Sequence, residues 1–202
     1  MNKTNHSKLR IVGDVHCQYY RYLEIIKDTD YSLQLGDFGF NYDVLQHVDS
    51  SKHKILLGNH DNYQTADQFP HFLGNFGISN IGNFVFFYIR GGHSIDKRWR
   101  TEGVDWFREE ELNHLQAKEL ISLYLQVKPE IVCSHDCPLS IAEQLYTFNI
   151  QKQNNYTESL LQYLFHYHQP KIWYFGHHHI NKEIVYKNTL FRCINTLSWI
   201  DI

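Results

Sequence analysis

Three short runs in the first sixty residues each end on a glycine followed by a polar side chain. Leu9–Val12 leads into Gly13-Asp14-Val15-His16, Tyr31–Leu35 into Gly36-Asp37, and Lys54–Leu57 into Gly58-Asn59-His60-Asp61. The arrangement recurs later, where Glu130–Cys133 precedes Ser134-His135-Asp136 and Lys171–Phe175 precedes Gly176-His177-His178-His179. Short apolar runs bounded by turn residues read as buried strands. Tyr19–Lys27 has helical spacing, so the first half reads βαβαβ, which requires a parallel sheet core. Open α/β sheets place ligands at the carboxyl ends of their strands. The five polar clusters are therefore expected to share one rim.

Phe84–Ile89 is aromatic and β-branched and reads as a further buried strand. Glu109–Gln126 carries Leu112, Leu115, Leu120 and Leu123 on a largely helical period, with Glu109, Glu110 and Glu111 suited to a helix N-terminus. Helical segments are expected near 140–147 and 157–168. Lys182–Tyr186 and Leu190–Ile194 form an expected antiparallel pair about Lys187-Asn188. Added to the parallel first half, this hairpin makes the expected class α/β with mixed sheets. No repeat, low-complexity tract or Pro/Gly-rich linker divides the chain, so residues 1–202 are read as one domain.

The net charge of -3 excludes the broad basic footprint of a duplex-binding protein. A nucleotide or short single strand stays compatible, because a metal centre can supply the positive charge. Cys17, Cys133, Cys137 and Cys193 are scattered without a CxxC pair, which argues against a zinc ribbon or redox dithiol. The first ten residues are polar, and no run approaches the ~18 apolar residues of a membrane span. The expectation is a soluble cytoplasmic protein with reduced thiols and no membrane partner.

Histidine is abundant, at 14 residues, and several sit in the strand-end clusters. Asp14 and His16 are two apart, so on extended backbone both point to one side; His177 and His179 repeat this, and His178 points away. A glycine before the ligand lets the backbone turn sharply and approach the site. Taken singly, Asp14, Asp37 and Asn59 would read as turn or helix-cap residues. With His16, His135, His177 and His179 they offer carboxylates, an amide oxygen and imidazoles, a set suited to manganese, iron or zinc more than to calcium or magnesium alone. His6, His47, His53, His71 and His114 read as solvated, and His166 and His168 as parts of a helix face. Cys17 and Cys133 read as small buried residues.

GDVH, GD, GNHD, a lone SH and GHHH, in that order from Asp14 to His179, resemble the motifs of the calcineurin-like metallophosphoesterases. The resemblance implies a layered α/β/β/α sandwich of two mixed sheets flanked by helices. It also implies dinuclear metal-dependent hydrolysis of a phosphate ester, mono or di, by a metal-bridging hydroxide. By position, Asp14, His16 and His179 would bind one metal, Asn59, His135 and His177 the second, and Asp37 both. Two divalent ions are implied ~3.5–4 Å apart, manganese first, with iron, zinc or nickel as alternatives. His60 would stabilise the transition state or protonate the leaving oxygen, and Asp61 would orient it.

The chain departs from the pattern at Cys17, where the family often has glycine, and at Asp37-Phe38-Gly39-Phe40, where a second aspartate is common. The second change argues against a protein Ser/Thr phosphatase, one rival reading. The other rival is a catalytically silent metal- or nucleotide-binding module. Gly91–Arg100 follows an apolar strand and resembles a segment of small bacterial and phage members. Its His93, Arg98 and Arg100, around Trp99, are candidate substrate contacts, with a solvated basic loop as the plain alternative. Residues 146–156 read as a surface excursion.

Overall fold

The computed structural model describes residues 8–146 and 155–202; His6 and residues 147–154 of the expected excursion lie outside them. Strands β1 (Leu9–Val12), β2 (Tyr31–Gln34) and β3 (His53–Ile55) pair in parallel, and β10 (Trp199–Asp201) adds an antiparallel edge beside β1. A second sheet has the order β4 (Phe76–Ile81), β5 (Phe84–Ile89), β6 (Ile131–Ser134), β7 (Ile172–Phe175), β9 (Thr189–Cys193) and β8 (Lys182–Tyr186). Its centre, β5-β6-β7-β9, is parallel, and β4 and β8 close it as antiparallel edges.

Three apolar layers make the sandwich. Ile11 and Leu33 of the first sheet, with Leu35 just past β2, meet Phe86, Cys133 and Tyr174 of the second in the middle layer. Helix α1 (Tyr19–Ile26) covers the first sheet with Tyr22, Ile25 and Ile26 against Val12 and Ile55. Helices α2 (His114–Val127), α3 (Leu139–Leu145) and α4 (Tyr156–Tyr167) cover the second, with Leu120, Ile141, Leu161 and Phe165 against Val132, Trp173 and Phe191. The result is α/β/β/α, with two mixed sheets flanked by helices. No helix among the described residues is long and apolar enough to cross a membrane.

The βαβαβ expectation needs one correction. Among β1–β3 only β1 and β2 are joined through an α-helix; between β2 and β3 the chain forms a short 3-10 turn over Asp43–His47. The expected helix at Glu109 begins instead at His114. Asn113 caps it, accepting from the Leu115 and Gln116 amides at 3.0 Å while the Gln116 side chain accepts from the Asn113 amide at 2.9 Å. The three glutamates lie outside this helix, and Arg108–Glu110 is a 3-10 turn. The β8–β9 hairpin turns at Lys187 and Asn188, both left-handed (φ 48° and 66°), as a two-residue turn with the strands' own twist requires.

His53 and His71, expected in solvent, are buried. His53 Nδ1 lies 2.9 Å from the Ser32 hydroxyl, and His71 Nε2 lies 2.9 Å from the Val48 carbonyl. Cys17 is exposed where a small buried residue was expected, whereas Cys133 is buried between the sheets.

Candidate metal centre

Every predicted ligand follows the carboxyl end of a strand, and several stand on strained backbone. His16, Asp37, His177 and His179 all have positive φ (46°, 58°, 63° and 53°). Each such non-glycine residue costs on the order of 1–3 kcal/mol and persists only where its surroundings impose it. Here the Asp37 carbonyl accepts from the Val15 and His16 amides at 3.0 and 2.8 Å, tying the first two clusters together. Gly36 is also left-handed (φ 101°), and a Cβ there would sit 2.5 Å from His135 Nδ1. Only glycine lets the strand end approach that ring.

Two groups of potential donors result. Asp14, His16, Asp37 and His179 offer one ligand atom each, all within 4.8 Å of one another; Asp37, His135 and His177 do the same. In the first group His179 Nε2 lies 3.0 Å from Asp14 Oδ2, and His16 Nε2 lies 3.7 Å from Asp37 Oδ2. In the second, His135 Nε2 lies 3.2 Å from Asp37 Oδ1 and 3.1 Å from Asn59 Oδ1. The Asp37 carboxylate thus turns one oxygen toward each group. All seven residues the sequence nominated as ligands come together here.

The donor set fits cations. Asp14 Oδ2 is fully buried with no hydrogen bond reaching it, an expensive state for a carboxylate oxygen. His16 Nε2 and His179 Nε2 face each other at 2.8 Å beside it. The His135 Nδ1–H donates to the Leu35 carbonyl at 2.8 Å, which aims Nε2 at the second group.

Ionisation follows the same geometry. Burial pushes the Asp14 carboxyl up, but the neighbouring His16 and His179 imidazoles outweigh it and hold it at about 2. Asp37 is likewise buried, yet His135 holds it well below the usual carboxylate range. Burial disfavours a charged His135, but the Asp37 charge prevails and lifts it to about 10. For His177 burial prevails, and it falls to about 4. Of the four groups only His135 holds an extra proton, and it holds it beside the ionised Asp37 carboxylate, where a cation's charge belongs.

The second tier of predicted residues is placed differently. The His60 amide donates to Asp37 Oδ1 at 2.7 Å, and its ring lies edge-on to His16, centroids 4.9 Å apart. Burial lowers its pKa. Asp61 was expected to orient His60, but its carboxylate accepts instead from three backbone amides: Asp37 (2.9 Å), Gly58 (2.7 Å) and Gly39 (3.0 Å). Burial and the Asp37 charge lift Asp61 to about 7 against the pull of those amides. It fastens two strand-end loops to each other. Arg100 turns inward to His60 and Asp96 with its side chain only 7% exposed. Arg98 lies over the Trp99 ring, 4.8 Å from its centroid, and Trp99 is 77% exposed. His93 lies 3.2 Å from Glu111, in a separate cluster with Glu110 and outside both ligand groups.

His178 faces away from the donors, as expected, but left-handed backbone at His177 and His179 rather than extended alternation turns it there. Its Nε2–H donates to buried Asp136 at 3.1 Å and Nδ1 accepts from the Tyr146 hydroxyl at 3.1 Å. Sequence reasoning missed two buried residues beside Asn59, Ser94 and Glu110. The polar Ser94 after Gly91-Gly92-His93 was the available signal, whereas Glu110 was hidden in an acidic run that resembles a helix start.

Comparisons with known proteins agree with this geometry. The model of the calcineurin-like phosphoesterase family matches residues 7–181. No curated protein matches at a significant level. Among solved structures, the phosphopantetheinyl hydrolase PptH of Mycobacterium tuberculosis is 11% identical with a TM-score of 0.58, over 94% of this chain and 90% of that one. GAP50, the anchor in the inner membrane complex of Plasmodium, is 13% identical with a TM-score of 0.52, over 96% and 73%. A Thermus thermophilus protein, TT1561, is 12% identical with a TM-score of 0.51, over 95% and 90%. At such identities the likeness shows the fold alone, and a fold shared by a hydrolase and an anchor does not decide activity. The family match, spread over nearly the whole length and all five strand-end motifs, does decide kinship: this chain belongs to the calcineurin-like phosphoesterase family.

Proposed function

We propose that the protein hydrolyses a phosphate ester at a dinuclear metal centre. The observation that carries the reading is the division of the Asp37 carboxylate, Oδ2 toward His16 and Oδ1 toward His135. Asp14, His16 and His179 would hold one ion, Asn59, His135 and His177 the other, and Asp37 both. The mixed oxygen and imidazole set, without thiolate, suits manganese first and iron, zinc or nickel next. Two such ions, when bound, supply Lewis-acid charge at the phosphoryl oxygens and a more acidic water for in-line attack.

The chain's own residues do the rest. His60 and Arg100 place an imidazole and a fixed positive charge beside the ligand groups, where they would stabilise charge developing on the phosphoryl oxygens. Asp61 holds the Asp37 and Gly58 backbone so that the ligands cannot drift. Trp99 and Arg98 present a flat aromatic and cationic surface at the rim, suited to an ester that carries a ring, such as a nucleotide. The same reading takes residues 1–202 as one domain, because the two sheets share the middle core layer. It also places the protein in the cytoplasm, in keeping with four unpaired cysteines.

The test compares bis-p-nitrophenyl phosphate, p-nitrophenyl phosphate, cyclic nucleotides and single-stranded DNA, with manganese and after chelation. Manganese-dependent turnover of at least one is expected. Protein loaded with two ions that turns over none of them would overturn the assignment.

A further inference from the structure

Asn59 raises a problem the other ligand residues do not. A side-chain amide has an oxygen that can bind a cation and an NH2 that cannot, on a nearly symmetric frame. A half-turn of the amide would present the wrong end to the second group. Something must fix which end faces inward.

Asn59 is buried, with Oδ1 3.1 Å from His135 Nε2 and Nδ2 3.2 Å from the Ser94 hydroxyl. Ser94 is buried too, and its hydroxyl lies 2.6 Å from Glu110 Oε2. The other Glu110 oxygen, Oε1, accepts from the Ser94 amide at 3.0 Å, and the Glu110 carbonyl accepts from the Gly92 amide at 3.2 Å. Glu110 therefore clasps the loop from Gly92 to Ser94, although it enters the fold from the 3-10 turn before α2.

With Glu110 ionised, the direction of every hydrogen bond in this relay is determined. A carboxylate only accepts, so the Ser94 hydroxyl must donate to Glu110. Its one proton is then spent, so toward Asn59 it can only accept. Asn59 must turn its NH2 to Ser94, which leaves its oxygen facing His135. We propose that Glu110 and Ser94 are positioning residues that lock the Asn59 amide with its oxygen toward the second ion. The proposal rests on the metal reading above, in which Asn59 is a ligand.

Metal binding itself supplies the test. Metal-free protein is titrated with manganese by calorimetry, and the second ion is defined as the one lost in His135→Ala. Ser94→Ala removes the relaying hydroxyl. Glu110→Gln is isosteric but can donate to Ser94 and so reverse the chain of hydrogen bonds. Each should weaken the second ion by roughly 10–100-fold, the usual cost of losing a group that orients a metal ligand. Binding of the first ion should stay unchanged, which a general loss of structure would not allow. The double variant should be no worse than either single one, since the two residues act in series.

Unchanged second-ion affinity in both variants, with Asn59→Ala losing that ion, would overturn the relay and leave the metal reading standing. An additive double variant would overturn the relay as well. If Asn59→Ala kept the second ion, the ligand assignment itself would be wrong, and the relay would fall with it. Should Ser94→Ala fail to fold in a thermal melt, the isosteric Glu110→Gln decides alone.

Discussion

Arg100 Nη2 lies 2.5 Å from His60 Nε2, and Asp96 holds the same nitrogen at 2.8 Å. A guanidinium has donors only, so the His60 nitrogen must be the acceptor of this pair, on a neutral ring whose proton is on Nδ1. This geometry favours a charge-stabilising unit of two side chains over a free proton donor at Nε2. His60→Ala should lower turnover by roughly 10²–10⁴ while leaving metal content intact. Arg100→Ala should cost roughly 10²–10³, the scale of one lost transition-state donor. Because the residues act together, the double variant should lose far less than the product. Steady-state kinetics on bis-p-nitrophenyl phosphate for the three variants decides it, and full multiplicativity would show independent roles.

Asp37→Asn should weaken both ions together, since each carboxylate oxygen serves one group. His16→Ala should weaken chiefly one. Metal content after dialysis is the measurement, and an Asp37→Asn protein that kept two ions would remove the bridging role.

Affinity for metal should depend on pH through His135. Its folded pKa, about 10, lies above the ordinary 6.5 because of Asp37. The protonated pair therefore stabilises the metal-free fold fully below the unfolded value, and that stability is lost as pH rises through about 10. An ion at the second position must displace this proton. Second-ion affinity should accordingly rise with pH, about tenfold per unit for one displaced proton, while His177, at about 4, adds no slope near neutrality. Titrations with manganese at several pH values from about 6 to 9 would contradict this if the affinity stayed flat.

Asp61→Asn should behave as a stability variant. An asparagine has one acceptor oxygen for a place where three backbone amides donate. Each amide stranded in the interior costs about 1–3 kcal/mol. Urea denaturation of metal-free protein should show the loss, and wild-type stability would contradict the role given to Asp61. His60→Ala, with its ring partly in solvent, should unfold near the wild-type midpoint.

Much of this site could be read from the chain because the fold puts ligands where short apolar runs stop. Asp14, Asp37, Asn59, His135 and His177 are each within a few residues of such a stop, whereas His178 turns away on left-handed backbone at His177 and His179 that extended spacing does not describe. What escaped lies between elements distant in sequence. Glu110 reaches Ser94 across sixteen positions and Arg100 reaches His60 across forty, and no local period announces either contact. β4 and β10 escaped for another reason: Phe76–Ile81 contains Gly77 and Asn80, which weaken a strand signal, and β10 has only three residues. Asp61 stands next to His60 in sequence, yet its carboxylate is engaged by three backbone amides that no local pattern announces.

The middle layer of the sandwich has a consequence for the protein's lifetime. Asp14, His16, Asp37 and Asn59 follow strands of the four-stranded sheet, whereas His135, His177 and His179 follow strands of the six-stranded one. Either ion would thus rivet two slabs that otherwise adhere through apolar contact. A ligand that binds only the folded state adds to stability in proportion to the logarithm of its concentration, and here the added stability falls on the seam. Metal shortage is then expected to shorten survival as well as silence activity, with proteolysis of chelated protein opening first between the slabs. A partly synthesised chain would lack one imidazole of each ion's set until β7 has paired and brought His177 and His179 to the rim.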